Sequence, residues 1–474
     1  MSLVMKFKEY INNKILIQAH DKLLLGVSGG PDSLSMLDLF MKIKEEYSLD
    51  LTVFYLNHMF RKEAAAEAEF VKKTADNYGV KSIIETFDVP AYIKKKGLSP
   101  EEAAREIRFK YMVKWADKLK IKKIALAHNK NDFVETILLN LARGTGLKGL
   151  SGINPVTLID GIKIIHPLLS FSRKKIEKYC RDFNLYPVED PSNKTDIYTR
   201  NKIRHNVVPV FEEINPGFKE AVFRMGNIVN QENEFLNKLA DKKFELVLLE
   251  KEENQISFNL KRISQLDRVL LKRVIEKAVT LVKGDDTDLY YAHYKAAINL
   301  IKRGNTGKRV DLKDGIIVRC NYNKVIIETR SHFKAVKSNE KYEFELNAPD
   351  SILLPYNIEI KSDKLTVGDI DWKLKAKDNN ICICDLDKIK FPLQIRNRRP
   401  GDVFYPLGMK GKKKIKDLFI DEKIPLVERD KIPLVLSNDG RVIWITGCRV
   451  DNRFKVTEET KNLLKLVIID KRGD

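Results

Sequence analysis

Residues 26–37 read GVSGGPDSLSML. Two adjacent glycines, a proline and an aspartate flanked by serines interrupt the chain between an apolar run, Leu23 to Val27, and a second apolar stretch, Leu34 to Ile43. The segment SGGPDS, Ser28, Gly29, Gly30, Pro31, Asp32 and Ser33, therefore follows a predicted strand and opens a predicted helix. Glycines let the backbone turn sharply enough for its N–H groups to converge on an anion, and the helix N-terminus adds a favourable dipole. No GK[ST] follows, so this is not a Walker A loop, and the spacing is not GxGxxG. The plain alternative is that Asp32 or Ser33 caps the helix. A cap accounts for one residue of the six.

Outward from this loop the first 215 residues alternate. Strand-like runs at 22–27, 51–57, 82–87, 123–128 and 162–166 are followed by helical patterns at 33–46, 62–78, 101–119, 132–142 and 172–184. Such alternation predicts α/β architecture: a doubly wound parallel sheet, covered on both faces, with ligands at the carboxyl ends of its strands. Residues 28–33, Asn57–His58 and His128–Asp132 then share one edge. Beyond Pro216 long helical patterns follow at 217–249, 266–283 and 290–303, then hairpins at 309–330. From about 345 the chain is β-rich, with a last helical stretch expected at 457–465. The expected organisation is a catalytic domain at 1–215, a mainly helical middle domain with β-hairpins at 216–344, and a β-rich α+β C-terminal domain at 345–474. A chain of 474 residues suits about three domains.

The formal net charge is +20. An excess of this size points to a polyanionic partner, nucleic acid above all, although a lysine-rich composition alone would produce it. No apolar run approaches the roughly 20 residues that span a bilayer, and the N-terminal stretch lacks a signal-peptide core. The five cysteines include no CxxC, so neither a zinc site nor a disulfide framework is suggested. A cytoplasmic location and no membrane partner are the natural expectations.

Strand–SGGxDS–helix resembles the signature of the PP-loop ATP pyrophosphatases, which cleave ATP between its α and β phosphates and adenylate an oxygen of the substrate. Further blocks resemble the tRNA(Ile)-lysidine synthetase family: LNHMFRKEAAAEAEFV (56–71), EEAAREIRFKYM (101–112), AHNKNDFVETILLNLARGTGLKGLSG (127–152), HPLL (166–169) and DPSNKTDIYTRNKIRHNVVP (190–209). The stretch 395–435 is similar to that family's C-terminal domain. The resemblance implies that ATP and free L-lysine convert the wobble cytidine of the CAU anticodon of tRNA(Ile) to lysidine. Adenylation turns the C2 oxygen into a good leaving group, and the lysine ε-amine displaces AMP.

The resemblance also implies roles. Ser28, Gly29, Gly30, Pro31, Asp32 and Ser33 would hold ATP, with His58 and Arg61 lining the nucleotide side and Asp32 reaching the triphosphate through Mg²⁺, the one metal ligand expected. Asp132 joins Asp32 as a catalytic residue. The family has two adjacent acids where this chain has Asn131-Asp132, and Asp132–Glu135 also reads as a capping box. Arg108, then Arg105, would clamp the carboxylate of lysine, since a guanidinium does so bidentately, and Glu135 would pair with one of its amines. His128 reads equally as a site residue and as a strand-end histidine, and Arg143 to Lys148 as a loop near the substrates or a helix C-cap.

Two basic clusters are read as tRNA-contacting. One is Arg200, Lys202 and Arg204. The other is Arg396, Arg398, Arg399, Lys410, Lys412, Lys413, Lys414 and Lys416, against the single acid Asp402. Two alternatives stand beside this reading: a related tRNA thiolase, whose relatives commonly use paired cysteines, and a non-catalytic RNA-binding protein. The oligomeric state is open, a homodimer included.

Overall fold

The structure is a computed structural model. It describes residues 2–60, 64–188, 199–284, 289–337, 341–369, 378–407, 409, 411–425 and 428–470. Chain contacts divide it into two compact units, Met1–Leu236 and Asn237–Asp474.

In the first unit the elements are α1 (Leu3–Asn13), β1 (Lys22–Gly26), α2 (Pro31–Ile43), β2 (Asp50–Asn57), α3 (Ala64–Asn77), β3 (Lys81–Thr86), α4 (Val89–Lys96), α5 (Pro100–Lys118), β4 (Lys123–Leu126), α6 (Lys130–Arg143), α7 (Leu147–Leu150), β5 (Val156–Ile159), β6 (Ile162–Ile165) and α8 (Arg173–Asp182). The sheet order is β3-β2-β1-β4-β6-β5, parallel except for the edge strand β5. Alternate side chains explain why both faces are covered. Leu23, Leu25, Val53 and Tyr55 pack with residues of α1, α2, α3 and α8, while Leu24, Phe54 and Leu56 pack with residues of α4 and α5. Each such leucine or phenylalanine contributes about 1.5–3 kcal/mol by leaving water. Truncating Phe54, 1% exposed, would cost about 3–5 kcal/mol.

The chain leaves β1 toward β2 and β3, then crosses to β4 and β6 on its other side. That reversal opens a crevice at the carboxyl ends of β1 and β4, where open α/β sheets bind ligands. The doubly wound parallel sheet expected from the alternation is therefore present, and its switch point falls beside SGGPDS.

Some elements were not read from the sequence. Strand β5 is mostly exposed and shows no alternation, and it reaches β6 through Asp160-Gly161, both at positive φ, the chemistry of a tight hairpin. Helices α1 and α4 are short amphipathic pieces outside the repeating pattern.

The second unit begins with an antiparallel sheet of β7 (Leu248–Lys251), β8 (Gln255–Asn259), β9 (Arg309–Asp311), β10 (Ile316–Asn321) and β11 (Lys324–Thr329), in the order β7-β8-β11-β10-β9. Helices Arg268–Lys283 and Tyr291–Arg303 cover it through Val274, Ile275 and Ile298. The remainder is β-rich, as expected. One expectation fails there: of the helix predicted at 457–465, residues 457–461 form turn and irregular backbone and the rest opens the strand Asn462–Asp470. It pairs on one side with Ile358–Thr366 and on the other with Ile381–Asp385. NLLKLVIID satisfies a helical spacing over its leucines, but its β-branched end and two available partner strands favour the extended form. Tertiary pairing outweighs the local pattern.

Candidate active site

The loop after β1 is closed on itself. The Ser28 N–H donates to Ser33 Oγ (3.1 Å), and that hydroxyl donates to the Gly30 carbonyl (3.0 Å). Gly29 sits at φ 80°, where a side chain is strained. Gly30 does not: its φ is −76°, and a Cβ there would meet only Ser28 Oγ at 3.7 Å. Helix α2 starts at Gly30 with Pro31 in its first turn and no side-chain cap. Neither Asp32 nor Ser33 is the helix cap. Free helix N–H groups therefore face an open cradle.

The cradle belongs to a cavity of ≈ 1130 Å³ at the switch point, lined by residues from β1, β2, β4, α5, α6 and α8 and from the segment Arg200–Arg204. Asp32, on α2, accepts a hydrogen bond from Asn129 Nδ2 (2.8 Å) and an ion pair from Arg173, the first residue of α8. Burial pushes its carboxyl up to about 6 against the pull of Arg173, and the charge of Asp132 adds to the rise.

Asn129 also starts α6. Its Oδ1 accepts from the N–H groups of Asn131 (2.8 Å) and Asp132 (3.1 Å), while Asp132 Oδ2 accepts the Asn129 N–H (2.8 Å). The capping box expected at Asp132–Glu135 is thus at Asn129–Asp132, one turn earlier. Asp132 keeps Oδ1 for Arg200 (3.2 Å), and burial raises its carboxyl.

Glu135, 2% exposed, is held by two arginines: Arg200 Nε at 2.9 Å, and Arg204 through Nε (2.7 Å) and Nη2 (2.9 Å). Arg200 and Arg204, expected on an RNA-contacting surface, are placed against the acids of the cavity. They lie in Thr199–Lys202 and in the π-helical turn Ile203–Val207, which precedes Pro209.

Arg108 and His58 face the cavity with atoms left over. The Arg108 Nε and the His58 Nδ1 are buried and have no hydrogen-bond partner among the described residues. Burial, with Arg105 and Arg200 nearby, lowers Arg108 to about 10; burial and then Arg108 lower His58 to about 4. Arg105 lies over the Phe109 ring at 5.1 Å. An anion entering here would meet a guanidinium Nε–H that has no partner to give up among the described residues.

Of the residues singled out from sequence, Ser28, Gly30, Pro31, Asp32, Ser33, His58, Arg105, Arg108, Asp132, Arg200 and Arg204 line this one cavity. Glu135 stands behind Asp132. Arg61 and Lys410 lie outside the described residues. The sequence does not single out Arg173 or His166 as site residues, and it places Asn129 there only as part of the edge stretch His128–Asp132. The only local signal for Arg173 was its place one turn beyond HPLL, at the start of a helix.

In the second unit the basic run divides. Arg396, 7% exposed, forms a two-point pair with Asp402 (both 2.9 Å), so its guanidinium is spent inside the fold. Arg398 pairs with Asp430 (2.6 Å), Arg399 with Glu343 (2.7 Å) and Lys413 with Asp421. Lys412, Lys414 and Lys416 are exposed and carry no ion pair among the described residues.

Two family models match the chain: the PP-loop domain over residues 2–211 and the TilS substrate C-terminal domain over 393–467. It is 36% identical over 467 residues to the tRNA(Ile)-lysidine synthase of Caldanaerobacter subterraneus subsp. tengcongensis, covering 98% of this chain and 97% of that one. The synthase of the same name from Clostridioides difficile is 35% identical, with coverage of 96% and 97%. That from Geobacillus kaustophilus is 33% identical, with coverage of 94% and 95%. With its self-closed loop at the β1/β4 switch point and relatives matched end to end, the chain belongs to the tRNA(Ile)-lysidine synthase family of PP-loop, ATP-using ligases.

Proposed function

We propose that this chain ligates L-lysine to C2 of the wobble cytidine in the CAU anticodon of tRNA(Ile), through an adenylated cytidine, with release of AMP and pyrophosphate. The observation that carries the reading is a single cavity joining an open anion cradle, Ser28 and Gly30 to Ser33, to the carboxylate of Asp132, behind which stands the buried Glu135. Backbone N–H groups of the cradle hold the triphosphate, and Arg108, whose Nε has no hydrogen-bond partner among the described residues, takes the carboxylate of lysine with Arg105 beside it. Glu135 and Asp132 take an ammonium of lysine. Arg200 and Arg204 hold that place in this structure, and an ammonium presents the same charge to the same oxygens. On this reading residues 1–215 form the catalytic domain, 216–344 the middle domain and 345–474 the C-terminal domain. Exposed Lys412, Lys414 and Lys416 then meet tRNA phosphates, in a protein that works in the cytoplasm.

Mg²⁺ fits the donors present. Asp32 and Asp132 supply hard carboxylate oxygens; burial and then the charge of Asp132 raise Asp32, and a divalent cation would relieve both. Asp32 and Asp132 would hold the ion beside ATP, where it would neutralise phosphate charge. A thiolase reading is not favoured: Cys180 alone borders the cavity among the described residues, and burial raises its thiol.

The test is to supply ATP, labelled lysine and tRNA(Ile) bearing CAU. Formation of AMP and pyrophosphate with label joined to the tRNA is expected; sulfur incorporation in place of lysine would overturn the reading.

A further inference from the structure

The proton of the attacking amine has no assigned destination among the residues above, and one of a pair of imidazoles borders the same cavity. His128, two residues past β4, is half-buried and lines the cavity. His166, one residue past β6, is 5% exposed and stands behind it. Parallel pairing of Ala125 with Ile165 brings the two strand ends together. The rings lie 4.7 Å apart, with Nδ1 to Nδ1 at 3.0 Å.

Two ring nitrogens this close are one N–H and one lone pair. Protonating both rings would set two charges side by side in a buried place. Burial holds both imidazoles below their ordinary range, His166 at about 4; Arg105 and Arg108 from α5 lower both further, and Arg200 from the segment after the sheet lowers His128. Both are neutral near pH 7. The Leu126 carbonyl draws a proton on the His166 ring toward itself. With that proton on Nε2, His166 accepts through Nδ1, and His128 donates through Nδ1 and keeps the lone pair on Nε2, on the ring edge turned from His166.

We propose that His128 Nε2 accepts the proton of the attacking lysine ε-nitrogen, and that His166 is the positioning residue that keeps His128 in the tautomer able to do so. This rests on the reaction proposed above. The neutral ε-amine forms the C2–N bond to the adenylated cytidine, and its nitrogen becomes cationic. That nitrogen gives its proton to His128 Nε2. The C2–O bond breaks, and its electron pair leaves with AMP. Bond formation makes the nitrogen strongly acidic, so a weakly basic imidazole suffices.

The two half-reactions separate the outcomes. His166→Phe fills the space and removes the acceptor, whereas His166→Asn keeps an acceptor. At saturating lysine, His166→Phe is expected to slow lysine transfer about 10- to 100-fold, far more than it slows adenylation, and His166→Asn to recover most of the loss. Transfer at the wild-type rate in His166→Phe, equal slowing of both half-reactions, or no recovery in His166→Asn would overturn the pair while leaving the reaction intact. A wild type that forms neither AMP nor lysidine would overturn both. Imidazole ¹⁵N spectra of the wild-type protein need no variant to fold: a lone-pair signal for His128 Nε2 is expected, and a protonated Nε2 near pH 7 would sink the proposal.

Discussion

Arg204 meets Glu135 as a fork, Nε to Oε1 at 2.7 Å and Nη2 to Oε2 at 2.9 Å, on a carboxylate 2% exposed. A buried acid so tightly held has a large cost when emptied, so whatever displaces the guanidinium has to bring its own positive charge. Glu135→Gln keeps the shape and removes the charge. The KM for lysine is expected to rise at least tenfold and that for ATP to change little, as measured by steady-state AMP release. Parallel rises in both would place Glu135 in the nucleotide site or the fold. Stability should fall by less than the roughly 3–5 kcal/mol of a fully buried broken pair, because Arg204 is partly hydrated.

Asp32 links folding to pH. Its carboxyl stands near 6 in the folded chain against an unfolded value of 3.8. The folded state therefore binds more protons between these values, and stability falls as pH rises from about 4 to 6, by roughly 3 kcal/mol in all. Above 6 this contribution is flat. Denaturant titrations at several pH values should show Asp32→Asn losing that slope, with adenylation lost as well. A variant that keeps both slope and turnover would remove Asp32 from the site.

The two glycines of the loop should part company. Alanine at Gly29 is forced to φ 80° and should cost about 1–2 kcal/mol of stability. Alanine at Gly30 keeps an ordinary backbone, so its cost should stay under about 1 kcal/mol. Its methyl nevertheless projects into the cradle, and the KM for ATP should rise tenfold or more. Unchanged ATP kinetics in Gly30→Ala would mean that no phosphate sits there.

The C-terminal basic run should split the same way. Replacing exposed Lys412, Lys414 and Lys416 with alanine should weaken tRNA binding and flatten the dependence of log affinity on log salt by roughly one unit per lost phosphate contact. Arg396→Ala should instead lower stability by about 3–5 kcal/mol, since it strands Asp402, 14% exposed at its side chain. A salt slope untouched by the lysine variant would take this face out of the interface.

Periodicity alone settles the large features of the fold. Alternating apolar runs set a parallel sheet, and SGGPDS after its first strand marked the crevice, because both signals reside in neighbouring residues. The candidate site was legible to the same extent: the residues at strand ends, such as Asp32, His58 and Asp132, follow from the order of elements alone. Partnership was not legible. Arg173 reaches Asp32 from 141 positions away, and Arg200 reaches Glu135 from 65. Nothing local tells such arginines from solvated ones, and Arg396 in its basic run looked no different from Lys414. The strand Asn462–Asp470 makes the same point for the backbone, since its leucines fit either period until two distant strands supply hydrogen bonds. Local sequence chose which elements form and where the crevice opens. Only the tertiary structure decided which charges are spent on the fold and which remain for a ligand, because pairing energy depends on burial and distance, and both arise only when remote segments meet.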